Sequence, residues 1–122
     1  METMPSSNRT LRLGAGEFME RVLPAVLGAS LGVLPKDVTI GLRVEGEGAW
    51  QIRGTSEGLL IEPHDGTAKD CEVTCNADNF PAVVRGGMGA TRAWVDGRVV
   101  ITGDVGLLLR LQEAIPAPLR LR

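Results

Sequence analysis

The chain has 122 residues, 43% of them hydrophobic, with 13 Lys and Arg against 15 Asp and Glu and a formal net charge of −2. This is one domain's length, enough to bury a core without metal or disulfide support, and the near-neutral balance without a basic stripe argues against nucleic acid. Tyrosine is absent and aromatic residues make up 3%, so stacking of bases or sugars has little to work with.

Of the basic residues, only Lys36 and Lys69 are lysines, and the arginines are scattered as a solvated surface would have them. METMPSSNR at the start lacks the apolar centre of a signal peptide. No apolar run approaches the ~20 residues of a membrane helix, so a cytoplasmic protein without stable membrane insertion is expected. Residues 1–10 read as a flexible N-terminal tail, 11–116 as a single domain, and 117–122 as a C-terminal tail whose LRLR frays.

In chain order, GEFMERVLPAVLGASLGVL carries Phe18, Val22, Val26 and Leu27 at helical spacing. Pro24 interrupts the pattern, which predicts a kink or two short helices. From residue 37 the period becomes two. VTIGLRVEG puts Val38, Ile40, Leu42 and Val44 on one face and Thr39, Arg43 and Glu45 on the other. AWQIRG, LLIEP and KDCEVTC follow, separated by EGEG, TSEG and PHDGT. Four short strands with Gly-rich turns predict an antiparallel meander. Its faces differ in polarity, so helices should cover one side only.

DCEVTC places Cys71 and Cys75 on one strand face, roughly 13 Å apart. A disulfide needs Cα atoms within ~7 Å, so the two do not pair with each other. They read as small apolar core residues. A metal site would need further His or Cys nearby, and the lone His64 lies in a turn.

NADNFPAVVRGG then begins a helix. Pro81 is harmless only in a first turn, which favours Asp78 over Asn76 as the cap. Phe80, Val83 and Val84 form the apolar side. GMGATRAWVDG is a short helical or irregular piece with Met88 and Trp94, and Asp96-Gly97 turns into the strand RVVIT. The last helix runs from Val105 to about Ile115, where Pro116 and Pro118 stop it. Leu107, Leu108, Leu111 and Ile115 form one stripe that Val105 and Leu109 widen, leaving Gly106, Arg110 and Glu113 as a polar strip. So broad an apolar face suits a helix wedged between layers, one lining a cavity, or one presenting leucines to a partner.

Motifs for catalysis are missing. RGGMGA lacks the GKS or GKT of a Walker loop, and GAGEFM lacks the third glycine of a dinucleotide fingerprint. The turn in RVVITGDVG is too short to wrap a phosphate, so Asp104 reads as a helix N-cap at the positive end of the dipole. His64 stands beside Asp65 in a turn, with no serine placed to complete a triad. No catalytic residue, metal ligand or cofactor is assigned, and a non-enzymatic protein is expected.

The order of elements carries a resemblance. A helical start leads to a meander with Trp50, then Asp78 and Phe80, Gly86, and A-W-x-x-G-x-x-x-I-x-G-D over Ala93, Gly97, Ile101, Gly103 and Asp104, then Leu107, Leu108 and Leu111. This resembles the sterol-carrier-protein (type two) lipid-binding domain family across about residues 16–115, most specifically 78–115. The resemblance implies an α+β fold: a five-stranded, mostly antiparallel sheet with helices packed on one face and an apolar cavity between the layers. It implies a ligand such as a fatty acid, fatty acyl-CoA, sterol or other lipid, and no catalysis. The chain ends PAPLRLR, not in a Ser-Lys-Leu address, and lacks a long apolar segment after the last helix. With the arginine bias and the lack of a targeting signal, a bacterial-type, stand-alone member is expected rather than a peroxisomal one.

The expected reading is therefore non-enzymatic binding of a long-chain apolar ligand. Its expected lining is Phe80, Val83, Val84, Met88, Trp94, Leu107, Leu108, Leu111 and Ile115, with Val22, Val26, Trp50 and Ile52 as secondary candidates. Arg85 or Arg92 would meet a charged head group at the rim. A dozen buried methylenes at roughly 0.8 kcal/mol each give a gross ~10 kcal/mol before ordering costs. The alternative is a homodimer or accessory interaction domain with no lipid role.

Overall fold

In the computed structural model, which describes residues 14–116, the alternating segments form one five-stranded sheet. Its strands are β1 (Thr39–Glu45), β2 (Gly48–Thr55), β3 (Gly58–Pro63), β4 (Cys71–Asn76) and β5 (Val99–Gly103). The tails expected at 1–10 and 117–122 lie outside the described residues. Spatial order is β3-β2-β1-β4-β5, with β1 and β4 parallel and the other neighbours antiparallel. The sheet is thus mostly antiparallel, as expected.

The four-strand meander needs correction. The chain makes hairpins from β1 to β3, but β4 does not follow beside β3. Residues 64–70 carry it back across the sheet to pair with β1. PHDGT looks like a hairpin turn, yet its residues bond to the strands they cross. His64 N–H donates to the Ala49 carbonyl, Asp65 N–H to Gln51 Oε1 at 3.0 Å, and Asp70 N–H to the Thr39 carbonyl. These long-range bonds satisfy the loop's backbone over the polar face.

That face carries the row Glu62, Gln51, Gly41, Glu72 and Thr102. A Cβ at Gly41 would lie 2.6 Å from the Glu72 carboxylate. Glycine there lets Glu72 lie over the sheet and reach His64 Nε2 at 2.9 Å. The opposite face is apolar in successive rows: Pro63, Trp50, Leu42, Val73 and Ile101, then Ile61, Ile52, Ile40 and Cys71. The helices pack on this face.

The first helical segment is α1 (Ala15–Glu17), a π-helical turn (Phe18–Val22) and α2 (Leu23–Leu27). Pro24 sits in the first turn of α2 rather than breaking the segment. Pro24 has no N–H to give to the preceding turn. The π turn just before it, with Leu23 N–H bonded to the Phe18 carbonyl, adds one residue to that turn. The buried set is therefore Phe18, Met19, Leu23 and Leu27, not the expected 18, 22, 26, 27 spacing. Val22 is partly buried and Val26 is exposed.

After β4 come α3 (Phe80–Arg85) and α4 (Gly87–Val95), and after β5 comes α5 (Val105–Ala114). Asp78 does not cap α3, contrary to expectation. The N-cap is Asn79, without a side-chain cap bond. Asn76 instead shapes the preceding turn, its Oδ1 accepting from Asn79 N–H at 3.0 Å. Asp104 behaves as expected, its Oδ1 accepting from Gly106 N–H at 3.0 Å at the start of α5. Gly103 before it has φ 88°, and a Cβ there would sit 2.3 Å from the Asp70 carbonyl oxygen. That close approach lets the same oxygen accept from Asp104 N–H at 2.8 Å, tying the start of α5 to the crossover loop.

Candidate functional site

Between the apolar rows of the sheet and the helices lies a narrow cavity of about 30 Å³. Its floor is Ile40, Leu42, Ile52 and Val73, and its walls are Phe18, Met19 and Leu23, then Phe80, Val83 and Val84, then Leu108, Leu111, Gln112 and Ile115. Phe18 and Phe80 meet edge to face, centroids 5.7 Å apart. The lining is apolar except for Gln112. A space this size is on the scale of one or two waters and, with such walls, stays dry. Leaving it unfilled costs about 0.7 kcal/mol on the usual cavity relation.

A second space lies farther out. The groove between α4 and α5 over β5 encloses about 220 Å³, lined by Gly87, Ala90, Thr91, Trp94, Ile101, Val105, Leu108, Leu109 and Gln112. Trp94 stands at it 42% exposed.

The expected lining residues divide between these places. Phe80, Val83, Val84, Leu108, Leu111 and Ile115 come together around the inner cavity. Trp94 joins Leu108 in the outer groove. Leu107 is buried in the core and lines neither space. Met88 is 77% exposed and also lines neither, which corrects its placement: it lies on the solvent side of α4. Of the secondary candidates, Ile52 lines the cavity, whereas Trp50 is buried with its Nε1–H donating to Glu20 Oε2 at 3.0 Å. Arg85 and Arg92 are both exposed and form no ion pair among the described residues.

Gln112 was missed by the stripe reading. It is 6% exposed, and its Nε2–H donates to the Val83 carbonyl at 2.7 Å, clamping α5 to α3. Its signal in the sequence is its spacing: four residues after Leu108, it stands at the edge of the leucine stripe on the buried side of the helix. Leu109 is the converse case, an apolar residue left 54% exposed.

The titratable groups lie elsewhere. Burial pushes the Cys71 thiol up to about 11, with the Asp104 and Glu72 carboxylates adding to it. Burial does the same to Cys75, again to about 11, with Glu45 contributing. Both remain protonated near neutrality and pack as small apolar groups. His64 is 3% exposed at its side chain. Its Nδ1 accepts from Gly66 N–H at 2.9 Å, so Nε2 carries the proton given to Glu72. Asp65 accepts from Lys69 Nζ at 2.6 Å and from the Thr67 hydroxyl and N–H, which hold its carboxyl well below the usual range. Among the described residues, no cluster of His, Cys, Asp and Glu is placed to hold a metal ion, and no helix is long and apolar enough to cross a membrane.

Comparison with known proteins gives one family. The model of the SCP-2 sterol transfer family matches residues 36–116, from just before β1 to just after α5. No curated protein sequence matches the chain. Among solved structures, a ubiquinone synthesis protein described as UbiJ-SCP2 is similar at TM-score 0.63 and 16% identity, with 84% of this chain and 91% of that one covered. The sterol carrier protein domain 2 of Helicoverpa armigera is similar at TM-score 0.61 and 18% identity, covering 87% of each chain. A palmitated SCP2L2 from Aedes aegypti is similar at TM-score 0.52 and 17% identity, covering 84% and 95%. At these identities the structures establish the shared fold.

Proposed function

Because this chain belongs to the SCP-2 sterol transfer family, we propose that it is a non-catalytic lipid carrier. It holds the hydrocarbon chain of a fatty acid, fatty acyl-CoA, sterol-like molecule or other lipid between its sheet and helices. The observation that carries this reading is the largely apolar groove of about 220 Å³ at Trp94, adjoining the narrow apolar cavity beneath α3 and α5. Binding would be driven by burial of methylenes, which requires no charged residue in the site. The similar Aedes aegypti protein is palmitated, which supports an acyl chain as the ligand class. Arg85 and Arg92, exposed on the helical side and free of ion pairs among the described residues, suit a charged head group left at the rim.

A carrier rather than an enzyme is supported by the state of the reactive groups. Both thiols are held protonated, and both nitrogens of His64 are engaged within the crossover loop and with Glu72. The cytoplasm is the location this reading assigns.

The second reading, a homodimer or accessory domain, draws on the exposed Met88, Val95 and Leu109 along α4 and α5. Native mass spectrometry of the protein purified from cells separates the two. A carrier gives a monomer mass raised by a bound lipid, or acquires a fatty acid on mixing. A bare dimer that ignores fatty acids and acyl-CoA overturns the carrier reading.

A further inference from the structure

We infer that Leu108 sets the length of chain this protein accepts, by standing as a partition between two apolar spaces. The inference rests on the lipid-binding reading above and deepens it. The inner cavity of about 30 Å³ and the outer groove of about 220 Å³ share just two lining side chains, Leu108 and Gln112. Both project from α5 and are 6% exposed.

The two are not equally free to move. Gln112 is tied to the Val83 carbonyl at 2.7 Å, and swinging it aside leaves a buried carbonyl without a partner. Leu108 holds its place by apolar contact alone. It is the side chain whose removal joins the two spaces while the α5–α3 clamp stays intact.

Volume then fixes what the protein takes. On the scale of a cavity of about 150 Å³ that takes a six-carbon ring, the outer groove of about 220 Å³ holds roughly eight or nine carbons. A chain entering beside Trp94 lies in the groove and stops against Leu108. Further carbons stay in water and add no affinity. Without the Leu108 side chain, the chain continues inward toward Val83 and Leu111.

The test is a chain-length series, from hexanoate to palmitate, titrated calorimetrically into the purified full chain. Each buried methylene strengthens binding by roughly fourfold. In the wild type, affinity climbs to about octanoate and then levels off. In Leu108→Ala the climb continues, so that dodecanoate binds at least tenfold more tightly than octanoate. Leu107→Ala is the control, since Leu107 is equally buried but lines neither space; it keeps the wild-type break. Leu108→Val removes less volume and moves the break outward by a smaller step, which reads the same result if Leu108→Ala does not fold. An unchanged break in both Leu108 variants, a wild type that climbs without a break, or the same shift in Leu107→Ala overturns the inference while leaving the carrier reading standing. Failure of every chain length to bind wild type and variants overturns both.

Discussion

On one face of the sheet, residues 64–70 are fastened by directional bonds: His64 to Glu72, Asp65 to Gln51, Lys69 to Asp65, and Asp70 to Thr39. On the other, the helices rest on rows of Ile, Leu, Val and Trp; apart from the Trp50 indole bonded to Glu20 and the Gln112 bond that joins helix to helix, the contacts around the cavity are apolar. Hydrogen bonds have fixed partners and angles, so the first face has one arrangement. Apolar contact is non-directional, and side chains there can trade places with a hydrocarbon of similar volume. Both faces therefore contribute to stability, and on the lipid-carrier reading only the helical face is suited to take a ligand.

Substitutions on the two faces should therefore differ in kind. The largest expected effect is on the helical side: Leu111→Ala removes a buried side chain from the cavity wall and should lower unfolding free energy by about 2–5 kcal/mol in urea. Leu111 lines the inner cavity and not the outer groove, so octanoate affinity, measured at a temperature where the variant is folded, should stay near wild type, whereas Leu108→Ala should raise the affinity of longer chains. Next is Glu72→Ala, which leaves the buried Nε2–H of His64 without its acceptor. It should cost about 1–3 kcal/mol and leave the affinity unchanged. A loss of binding there without unfolding would break the division between the faces.

Smaller still is Asp104→Ala. The carboxylate caps α5 at Gly106 N–H, so its loss should cost about 1 kcal/mol, read from the thermal midpoint, with affinity kept. The smallest effect concerns Asp65, whose carboxyl is held below its ordinary value of 3.8 chiefly by Lys69 and then by Thr67. A depressed carboxylate stabilises the fold above the unfolded value and loses that contribution as pH falls through the folded one. The stability gap between wild type and Asp65→Asn should thus be constant near neutrality and close as pH falls below about 4.

The sequence was most legible where one physical rule acted alone. Alternation over residues 38–44 and 71–75 predicted which side chains face the helices, because period two leaves no choice of face. The Asp104 cap was legible because Gly-Asp between a strand and a leucine run has a strong local meaning. Local rules fell short where distant partners decided. The 64–70 segment has hairpin composition, and its bonds to Ala49, Gln51 and Glu72 make it a crossover. With the π turn before Pro24, Met19 and Leu23 are buried in place of Val22 and Val26. In the site, Leu108 and Leu111 of α5 were found from spacing, whereas Leu107 packs in the core and lines neither space, and Leu109 lines the outer groove half exposed. Gln112 escaped because a polar residue at the edge of an apolar stripe reads as surface until its partner, the Val83 carbonyl, is in view.

On the lipid-carrier reading, ligand enters on the helical side and leaves the hydrogen-bonded face untouched. Amide and indole NMR spectra of the full chain titrated with octanoate test this directly. Shifts should concentrate on α4, β5 and α5, with the Trp94 indole among the largest, while signals from residues 64–72 stay in place. Spectra that do not change at all, or whose largest shifts fall on the 64–70 loop, would contradict it.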